Sequence, residues 1–379
     1  MLNPFTSLVR SQVWHCMNHR LLRRTVSAIA LAAVILCTTL GLPSAAQALP
    51  PGNAITDGRA LLRYALPIDN EPVRTLQSSI EDISEALRGR RRLSSVNTNL
   101  IRAERILDRA DDKLLPSVRS DKQAEAQALV AGIKDDIGRL REAIDAKDKS
   151  AIWDGRTAIL DKVGVLEEDM VQAFPFEVPA EYSHLAQLKG RATLEVTTTQ
   201  GSLTMVADGY NAPVTAGNFV DLVQRGFYDG LPFTRAEDFY VVQVGDPPGP
   251  DEGFMDPTTG AYRAIPLEVM VEGDSEPVYG VTLEDAGRFL DQPVLPFSSY
   301  GTVAMARPGD EPNGASSQFF FFLFEPELTP AGLNLLDGRY AVFGYVVDNK
   351  EVLGKLKPGD SIESIRVVDG LDNFIPPQA

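Results

Sequence analysis

Cysteine and histidine are scarce, with two cysteines and three histidines among 379 residues. Both cysteines, Cys16 and Cys37, lie in the first 48 residues, as do two of the histidines. Removal of that segment would leave no thiol, which would exclude disulfides, thiol catalysis and cysteine metal sites. Only His184 would remain. No potential metal ligand is spaced near it, so we predict a structural role for it.

The first 48 residues have the order of an export signal. Four arginines and no acidic residue come first, and an uncharged apolar run follows at 26–42. Ala46-Gln47-Ala48 then supplies an A-x-A cleavage site. The apolar run is short for a membrane span. The order therefore predicts cleavage after Ala48, and the alternative is a retained anchor.

Positive charge is also in short supply. The chain has 36 basic and 52 acidic residues, for a formal net charge of −16. Without the four arginines of the first 48 residues, 32 basic residues face 52 acidic ones, which gives −20. Such an acidic surface argues against nucleic acid as a partner. It suits a protein of an exported compartment.

Motifs of the common catalytic centres are missing as well. The chain has no H-E-x-x-H, no G-x-S-x-G and no P-loop, so we predict neither a metal nor a cofactor. Arginine, glutamine and aromatic residues remain. One reaction can use only these: rotation about an X-Pro amide, against a barrier of about 20 kcal/mol. It needs an apolar pocket for the proline ring and a cation that stabilises the twisted amide.

Hydrophobic periodicity divides the rest of the chain into two parts. Between residues 55 and 174, apolar residues recur at steps of three and four, which is typical of amphipathic helices. The stripes are Leu76-Ile80-Ile83-Leu87, Val96-Leu100-Ala103-Leu107-Ala110-Leu114, Val130-Ile133-Ile137-Leu140-Ile144 and Ile159-Val163-Leu166-Met170. Four helices that bury such stripes against one another predict a four-helix bundle. After Gly190 the period changes to two, and short strands with Gly/Pro turns predict a closed antiparallel β-barrel with capping helices.

The fold class predicted from these patterns is multidomain α + β. We predict an export signal at 1–48, a helical bundle at 53–174, a linker at 175–189 and a β domain at 190–372. Pro175 and Pro179 make the linker stiff and extended.

A series of motifs in the β part resembles the cyclophilin family. The motifs are NAPVTAGNF at 211–219, GFYDGLPF at 226–233, FTR at 233–235, QVGD at 243–246, GTVAMA at 301–306, SQFF at 317–320 and LDGRYAVFG at 336–344. They follow the family order over about residues 190 to 370. Any one motif is weak evidence, whereas the ordered series is specific.

The resemblance implies a peptidyl-prolyl isomerase site. It makes Arg235 the catalytic guanidinium and Gln243 the residue that positions it. It assigns the peptide groove to Tyr240, Val241, Ala306, Arg307, Gln318, Phe320, Leu335, Leu336 and Tyr340, with Phe320 and Leu336 at the pocket floor. From the residues alone, two alternatives stay open. Phe320 could be a core residue, and Arg235 could form a structural salt bridge with Glu237 or Asp238.

The chain departs from the family pattern along the rim of the groove. The family usually has phenylalanine, methionine, asparagine, tryptophan and histidine at the positions of Tyr240, Val241, Arg307, Leu335 and Tyr340. The arginine, the glutamine and the pocket phenylalanine match the pattern. The resemblance therefore implies an isomerase with altered peptide choice and weak activity. The alternative is a peptide-binding assembly scaffold with little or no catalysis.

The whole order of signal, helical bundle, proline linker and β domain resembles the thylakoid-lumen cyclophilins of plants and cyanobacteria. In that family the helical part resembles the PsbQ-type bundle of photosystem II. The resemblance implies a chaperone of the thylakoid lumen, with the periplasm as the alternative. It also implies as partners proline-containing segments of exported or membrane proteins, including photosystem II core subunits. A further alternative is that the helical domain covers the groove and inhibits the enzyme.

Overall fold

A computed structural model describes residues 55–84, 94–257, 259–324 and 334–378. The predicted export signal at 1–48 lies outside these ranges. All described residues belong to one compact unit. Within the described ranges, no helix combines the length and apolar character needed to cross a membrane.

Six α-helices precede the strands in the described part of the chain. They are α1 (Gly58–Tyr64), α2 (Glu71–Glu81), α3 (Ser94–Leu107), α4 (Ala110–Lys113), α5 (Gln123–Asp145) and α6 (Lys149–Glu168). Side-chain caps fix the starts of three of them. Asp57, Asn70 and Asp148 accept hydrogen bonds from backbone N–H groups of the first turns of α1, α2 and α6. Such a cap satisfies a donor that the helix itself leaves unpaired.

The helical part has one apolar core, built from the stripes read in the sequence. Leu76, Leu100, Ile133 and Ile159, one from each stripe, are fully buried in it. The helical region is therefore confirmed. The four-helix count is too simple. The second stripe is divided between α3 and the short helix α4, and the apolar residues of α1, a helix outside the four stripes, pack elsewhere.

The β part contains one eight-stranded antiparallel sheet in the order β11-β2-β3-β10-β8-β9-β5-β4. Its strands are β2 (Arg191–Thr198), β3 (Gly201–Asp208), β4 (Arg235–Glu237), β5 (Val241–Val244), β8 (Thr302–Met305), β9 (Phe319–Phe322), β10 (Val342–Asp348) and β11 (Ile362–Asp369). Two small sheets pair β1 (Gln187–Leu188) with β12 (Phe374–Ile375), and β6 (Glu268–Val269) with β7 (Val278–Tyr279).

The sheet is open, so the prediction of a closed barrel is wrong. Strands β11 and β4 are its two edges and do not pair with each other as strands. An isolated bridge between Pro232 and Ser361 joins the segments that precede them. The physical reason is that backbone hydrogen bonds join residues 230–233 to residues 359–362 before β4 begins. Strand β4 then pairs with β5 alone.

Alternation along β9 sends its side chains to opposite faces of the sheet. Phe319 and Phe321 enter the main core, where the ring of Phe219 lies 5.0 Å from that of Phe319. Phe219 belongs to α7 (Pro213–Gln224), a helix buried against the inner face. Phe320 and Phe322 point to the outer face and join a second apolar cluster. This outer face carries the candidate site.

Helix α1 packs on the outer face rather than in the helical core. Leu61 and Leu62 belong to the same apolar cluster as Phe320. Backbone carbonyls at the end of α1 accept hydrogen bonds from both parts of the molecule. Asn211 of the β part donates to the carbonyl of Ala65 at 3.0 Å. Arg74 of α2 donates to two more carbonyls, those of residues 63 and 66, at 2.7 and 3.0 Å. Helix α1 therefore joins the helical part to the sheet.

Candidate active site

Strand register brings the three central candidate residues into one row. Arg235 on β4 lies opposite Gln243 on β5, and Gln243 lies opposite Phe320 on β9. Neighbouring strands are about 4.8 Å apart, so the row spans roughly 10 Å. Because directly opposed residues share a face, the three side chains start from the same outer surface.

The guanidinium of Arg235 is held by an acid of its own strand. Its Nε donates to Glu237 Oε1 at 2.7 Å, and its Cζ lies 5.7 Å from the ring centroid of Tyr240. Both partners of the ion pair are about half exposed. The hydrogen bond with Glu237 is the main cause that raises the pKa of Arg235 above its ordinary value. The salt bridge weighed from the sequence is therefore present, but an exposed pair is worth only about 0–1 kcal/mol.

Gln243 interacts with a second glutamine. Its Nε2 donates to Gln318 Oε1 at 2.8 Å. Gln318 in turn donates to the carbonyl of Glu252 at 2.8 Å and to Asp246 Oδ1 at 3.3 Å. Both amides are thereby oriented beside the cation. Among the described residues, no hydrogen bond joins Gln243 to Arg235, so the positioning role of Gln243 stays a prediction.

Phe320 lies at the centre of an aromatic cluster and is 5% exposed. The ring of Phe297 stacks on it with centroids 6.0 Å apart and planes 9° apart. The ring of Tyr340 meets it edge-on at 5.5 Å. Leu336 packs against the same cluster. The structure therefore brings Phe320 and Leu336 together, and their role as a pocket floor stays a prediction. Phe320 is also packed as the alternative interpretation expects.

A buried acid fixes the ring that covers Phe320. Asp337 accepts hydrogen bonds from the backbone N–H groups of Phe297 at 2.8 Å and of Asn334 at 3.1 Å. Burial raises the pKa of Asp337 above its ordinary value, and the two backbone bonds act in the opposite direction. The segment before β8 is thereby tied to the turn that carries Leu336.

The remaining predicted groove residues divide into two groups. Val241 and Ala306 join the Phe320 cluster. Arg307 lies over the ring of Tyr340 at 5.3 Å, and its side chain donates to three backbone carbonyls, those of residues 308, 309 and 339. Leu335 is 85% exposed and takes no part in the cluster. The structure thus brings most of the predicted residues together but leaves Leu335 apart.

Sequence reasoning missed Phe297 and the apolar residues of α1. Phe297 lies in a stretch with loose spacing, and no motif marks it. Leu61 and Leu62 carry a helical pattern that would fit either core. A pattern reports that a residue is buried and does not report against which partner.

Two family models match the chain over these two parts. Residues 193–370 match the cyclophilin-type peptidyl-prolyl cis-trans isomerases. Residues 57–171 match the PsbQ-like domain of CYP38-like peptidyl-prolyl cis-trans isomerases.

Two relatives align with most of the chain. The first, sll0408 of Synechocystis sp., is described as a thylakoid lumen peptidyl-prolyl cis-trans isomerase and is 56% identical over 336 residues, covering 89% of this chain and 88% of that protein. The second, the chloroplastic isomerase CYP38 of Arabidopsis thaliana, is 46% identical over 336 residues, covering 86% and 77%. The chain therefore belongs to the cyclophilin-type peptidyl-prolyl cis-trans isomerases, in the CYP38-like family that carries a PsbQ-like domain. Both resemblances found in the sequence are confirmed.

Proposed function

We propose that this protein isomerises X-Pro bonds in exported or membrane proteins, with Arg235 as its catalytic cation. The observation that carries the proposal is the row of Arg235, Gln243 and Phe320 across three paired strands. It combines a cation, an oriented amide and an apolar cluster on one face, which are the groups that a twisted prolyl amide requires.

The chemistry needs no covalent step. Amide resonance sets the barrier of about 20 kcal/mol, and a donor to the prolyl nitrogen weakens that resonance as the bond twists. Arg235 supplies the donor, because its Nε bond to Glu237 involves only one of its nitrogens. We assign Gln243 and Gln318 to the peptide backbone. We assign the proline ring to the edge of the cluster formed by Phe320, Leu336 and Tyr340.

The remaining groove assignments belong to the same proposal. Tyr240, Val241, Ala306, Arg307 and Leu335 line the path of the peptide on either side of the proline. We also propose the domain boundaries read from the sequence, with a helical domain at 53–174, a linker at 175–189 and a cyclophilin domain at 190–372.

The location and the partners are proposed from the relatives. Both relatives carry the lumen or the chloroplast in their names. Together with the signal-like residues 1–48, these names support export into a thylakoid lumen, with the periplasm as the alternative. The match of residues 57–171 to a PsbQ-like domain supports a role in photosystem II assembly.

Recovery of photosystem II core subunits with the tagged chain from detergent-solubilised membranes would support that role, and their absence from the eluate would count against it.

The decisive test is a protease-coupled isomerase assay on the chain from residue 49 onward. We expect Arg235→Ala to lower kcat/KM by about a hundredfold to a thousandfold, the range for loss of one preorganised donor. Arg366→Ala is the matched control, because Arg366 also forms an exposed ion pair, with Asp229 at 2.7 Å, on the far edge strand. Equal rates for wild type and Arg235→Ala would refute catalysis at this site.

A second candidate function is a peptide-binding scaffold whose catalytic face is covered by its own chain. The observation in its favour is the 5% exposure of Phe320, together with the packing of Leu61 and Leu62 in the same cluster. Phe297→Ala distinguishes the two functions. An increase in kcat/KM indicates a covered enzyme, whereas unchanged and negligible activity in both proteins indicates a scaffold.

A further inference from the structure

The turn between β4 and β5 presents an aromatic residue in a strained conformation. Phe239 has φ +61°, and its side chain is 71% exposed. Left-handed backbone is unfavourable for L-residues, and a bulky residue there is an outlier. Exposure of a large apolar side chain is a second unfavourable feature. Strained residues of this kind concentrate at sites that contact ligands.

The other two residues of this type have ordinary explanations. Among the described non-glycine residues, Lys147, Phe239 and Asn349 have positive φ. Asparagine tolerates the left-handed region. Lys147 follows the end of α5, where helices commonly end with one left-handed residue. Phe239 lies in the three-residue hairpin turn between β4 and β5, where a left-handed residue is common but is ordinarily glycine. The bulky aromatic side chain at this position therefore calls for an explanation.

A cavity of about 200 Å³ opens beside this aromatic residue. Val242, Leu323, Leu353 and Leu356 of the main core lie at its base, and Tyr300 packs beside them. An apolar cavity of about 150 Å³ is large enough to hold a benzene ring. The cavity next to Phe239 can therefore accept one leucine or phenylalanine side chain.

Acidic side chains stand at the mouth of this cavity. Glu237 and Asp238 line it together with Phe239, and all three are exposed. A basic residue next to the apolar side chain would complement these carboxylates. Glu237 links the cavity to the candidate site across the edge strand, because it lines the cavity and also pairs with Arg235.

We propose that turn 237–240 and this cavity form a second peptide subsite, which binds a large apolar side chain adjacent to lysine or arginine in a client polypeptide. Phe239 covers the bound side chain, and the carboxylates pair with the basic residue. When Glu237 pairs with the client, the guanidinium of Arg235 is available to the prolyl amide. The inference rests on the proposed function and deepens it, because it names a substrate class for the edge of the sheet that carries Arg235.

The test measures binding of fluorescein-labelled peptides to the chain from residue 49 onward by fluorescence anisotropy. The parent peptide is Gly-Gly-Leu-Lys-Gly-Ala-Pro-Gly-Gly. Three others replace its leucine by glycine, its lysine by glutamate or its proline by alanine. We expect the leucine-to-glycine peptide to bind about tenfold more weakly, the size expected for one buried leucine side chain. The lysine-to-glutamate peptide is also expected to bind more weakly than the parent.

Two protein variants remove the subsite by different means. Phe239→Gly deletes the aromatic ring and places glycine where φ is positive, so its Tm is expected to stay level or rise. Gly354→Leu fills the cavity, because a Cβ at Gly354 meets only the Tyr300 hydroxyl, at 3.4 Å. In both variants we expect the parent peptide to bind no more tightly than its leucine-to-glycine form. The matched controls are Phe289→Gly, at another aromatic residue that is 68% exposed, and Gly138→Leu, where a Cβ meets no atom within 4 Å.

Persistence of the leucine preference in both variants, or its absence from the wild type, would overturn the inference. The proline-to-alanine peptide separates this inference from the proposed function. If it binds as tightly as the parent while the protein isomerises nothing, the subsite stands and the proposed function fails. If the protein isomerises X-Pro bonds but no peptide shows the preference, the subsite alone fails.

Discussion

At the residue scale, availability of the candidate cation depends on Glu237. The bond of 2.7 Å between Arg235 Nε and this carboxylate neutralises part of the charge that a prolyl amide would use. Because the pair is exposed, salt screens it and a peptide can compete with it. Glu237 therefore reduces the availability of the Arg235 guanidinium to a prolyl amide but does not abolish it.

We predict that Glu237→Gln raises kcat/KM severalfold for neutral peptides at low ionic strength. The variant leaves the guanidinium unpaired, whereas added salt should bring the wild type towards the variant by screening the pair. The measurement is the protease-coupled assay between about 10 and 500 mM salt. Glu284→Gln is the matched control, because Glu284 pairs with Arg339 in a similarly exposed bridge of 2.6 Å. Equal rates for Glu237→Gln and wild type at every salt concentration would contradict the prediction.

Some residues of the site could be predicted from the sequence and others could not. Arg235, Gln243 and Phe320 are implied by the resemblance to the cyclophilins, whereas their common face is seen only in the structure. The sequence predicts Glu237 or Asp238 as the acid that engages Arg235, and Glu237 is the one that lies two residues away on the same face. The covering ring of Phe297 had no local signal, since it arrives from a distant irregular segment.

At the scale of elements, α1 determines how the helical part meets the sheet. Its first residue, Gly58, packs so closely that an added Cβ would lie 2.8 Å from the Cβ of Tyr345 and 3.3 Å from the carbonyl oxygen of Val346. The close approach explains why glycine suits this position in a helix, where it is otherwise unfavourable.

We predict that Gly58→Ala destabilises the protein by about 1–3 kcal/mol, the usual effect of overpacking. The substitution should also loosen the outer cluster that contains Phe320. Urea unfolding at pH 7 measures the change. Gly138→Ala in α5 is the control with the opposite sign, because its Cβ meets no atom within 4 Å and alanine favours a helix by about 1 kcal/mol. If the Gly58→Ala protein is as stable as wild type, the close contact relaxes without a loss of unfolding free energy and the prediction is wrong.

Hydrophobic periodicity in the sequence predicts some features of these elements and not others. The period-3.6 stripes identified the helical core, because the described residues of every stripe are buried in it. Leu87 of the first stripe lies outside the described residues. The period-2 segments identified strands but not the closure of the sheet. The edges of the sheet depend on how β4 pairs, and a three-residue strand leaves almost no periodic signal.

At the scale of the whole molecule, two buried carboxylic acids link stability to pH. Burial raises the pKa of Glu268, which accepts hydrogen bonds from the start of α7, to about 7. Burial likewise raises the pKa of Glu167 in the helical part to about 8, against the pull of Arg74. Both folded-state values exceed the ordinary value of about 4.3, so folding favours the protonated forms.

We predict that the free energy of unfolding falls as pH rises from about 4.5 to about 7. Because the folded-state pKa values are raised, the contribution is fully present below the ordinary pKa and is lost above the folded-state value. For Glu268 alone the change is about 3 kcal/mol. Urea unfolding at a series of pH values measures the slope.

The control is Glu268→Gln, which cannot titrate and should flatten the slope over this range. The remaining slope reports Glu167 and the general repulsion of an acidic chain. If Glu268→Gln has the same slope as wild type, the carboxyl at 268 is already ionised in the folded protein at low pH, and the prediction is wrong.

The docking of α1 also has a consequence for the order in which parts of the chain fold. Arg59 Nε donates to the carbonyl of Val347 at 3.2 Å, a contact between groups 288 positions apart. During synthesis the helix emerges long before the strand that receives it, and such distant contacts form slowly because the intervening loop must close first. The segment that leaves the ribosome early is therefore among the last to reach its final place, and a nascent chain stays incomplete until its C-terminal strands have folded.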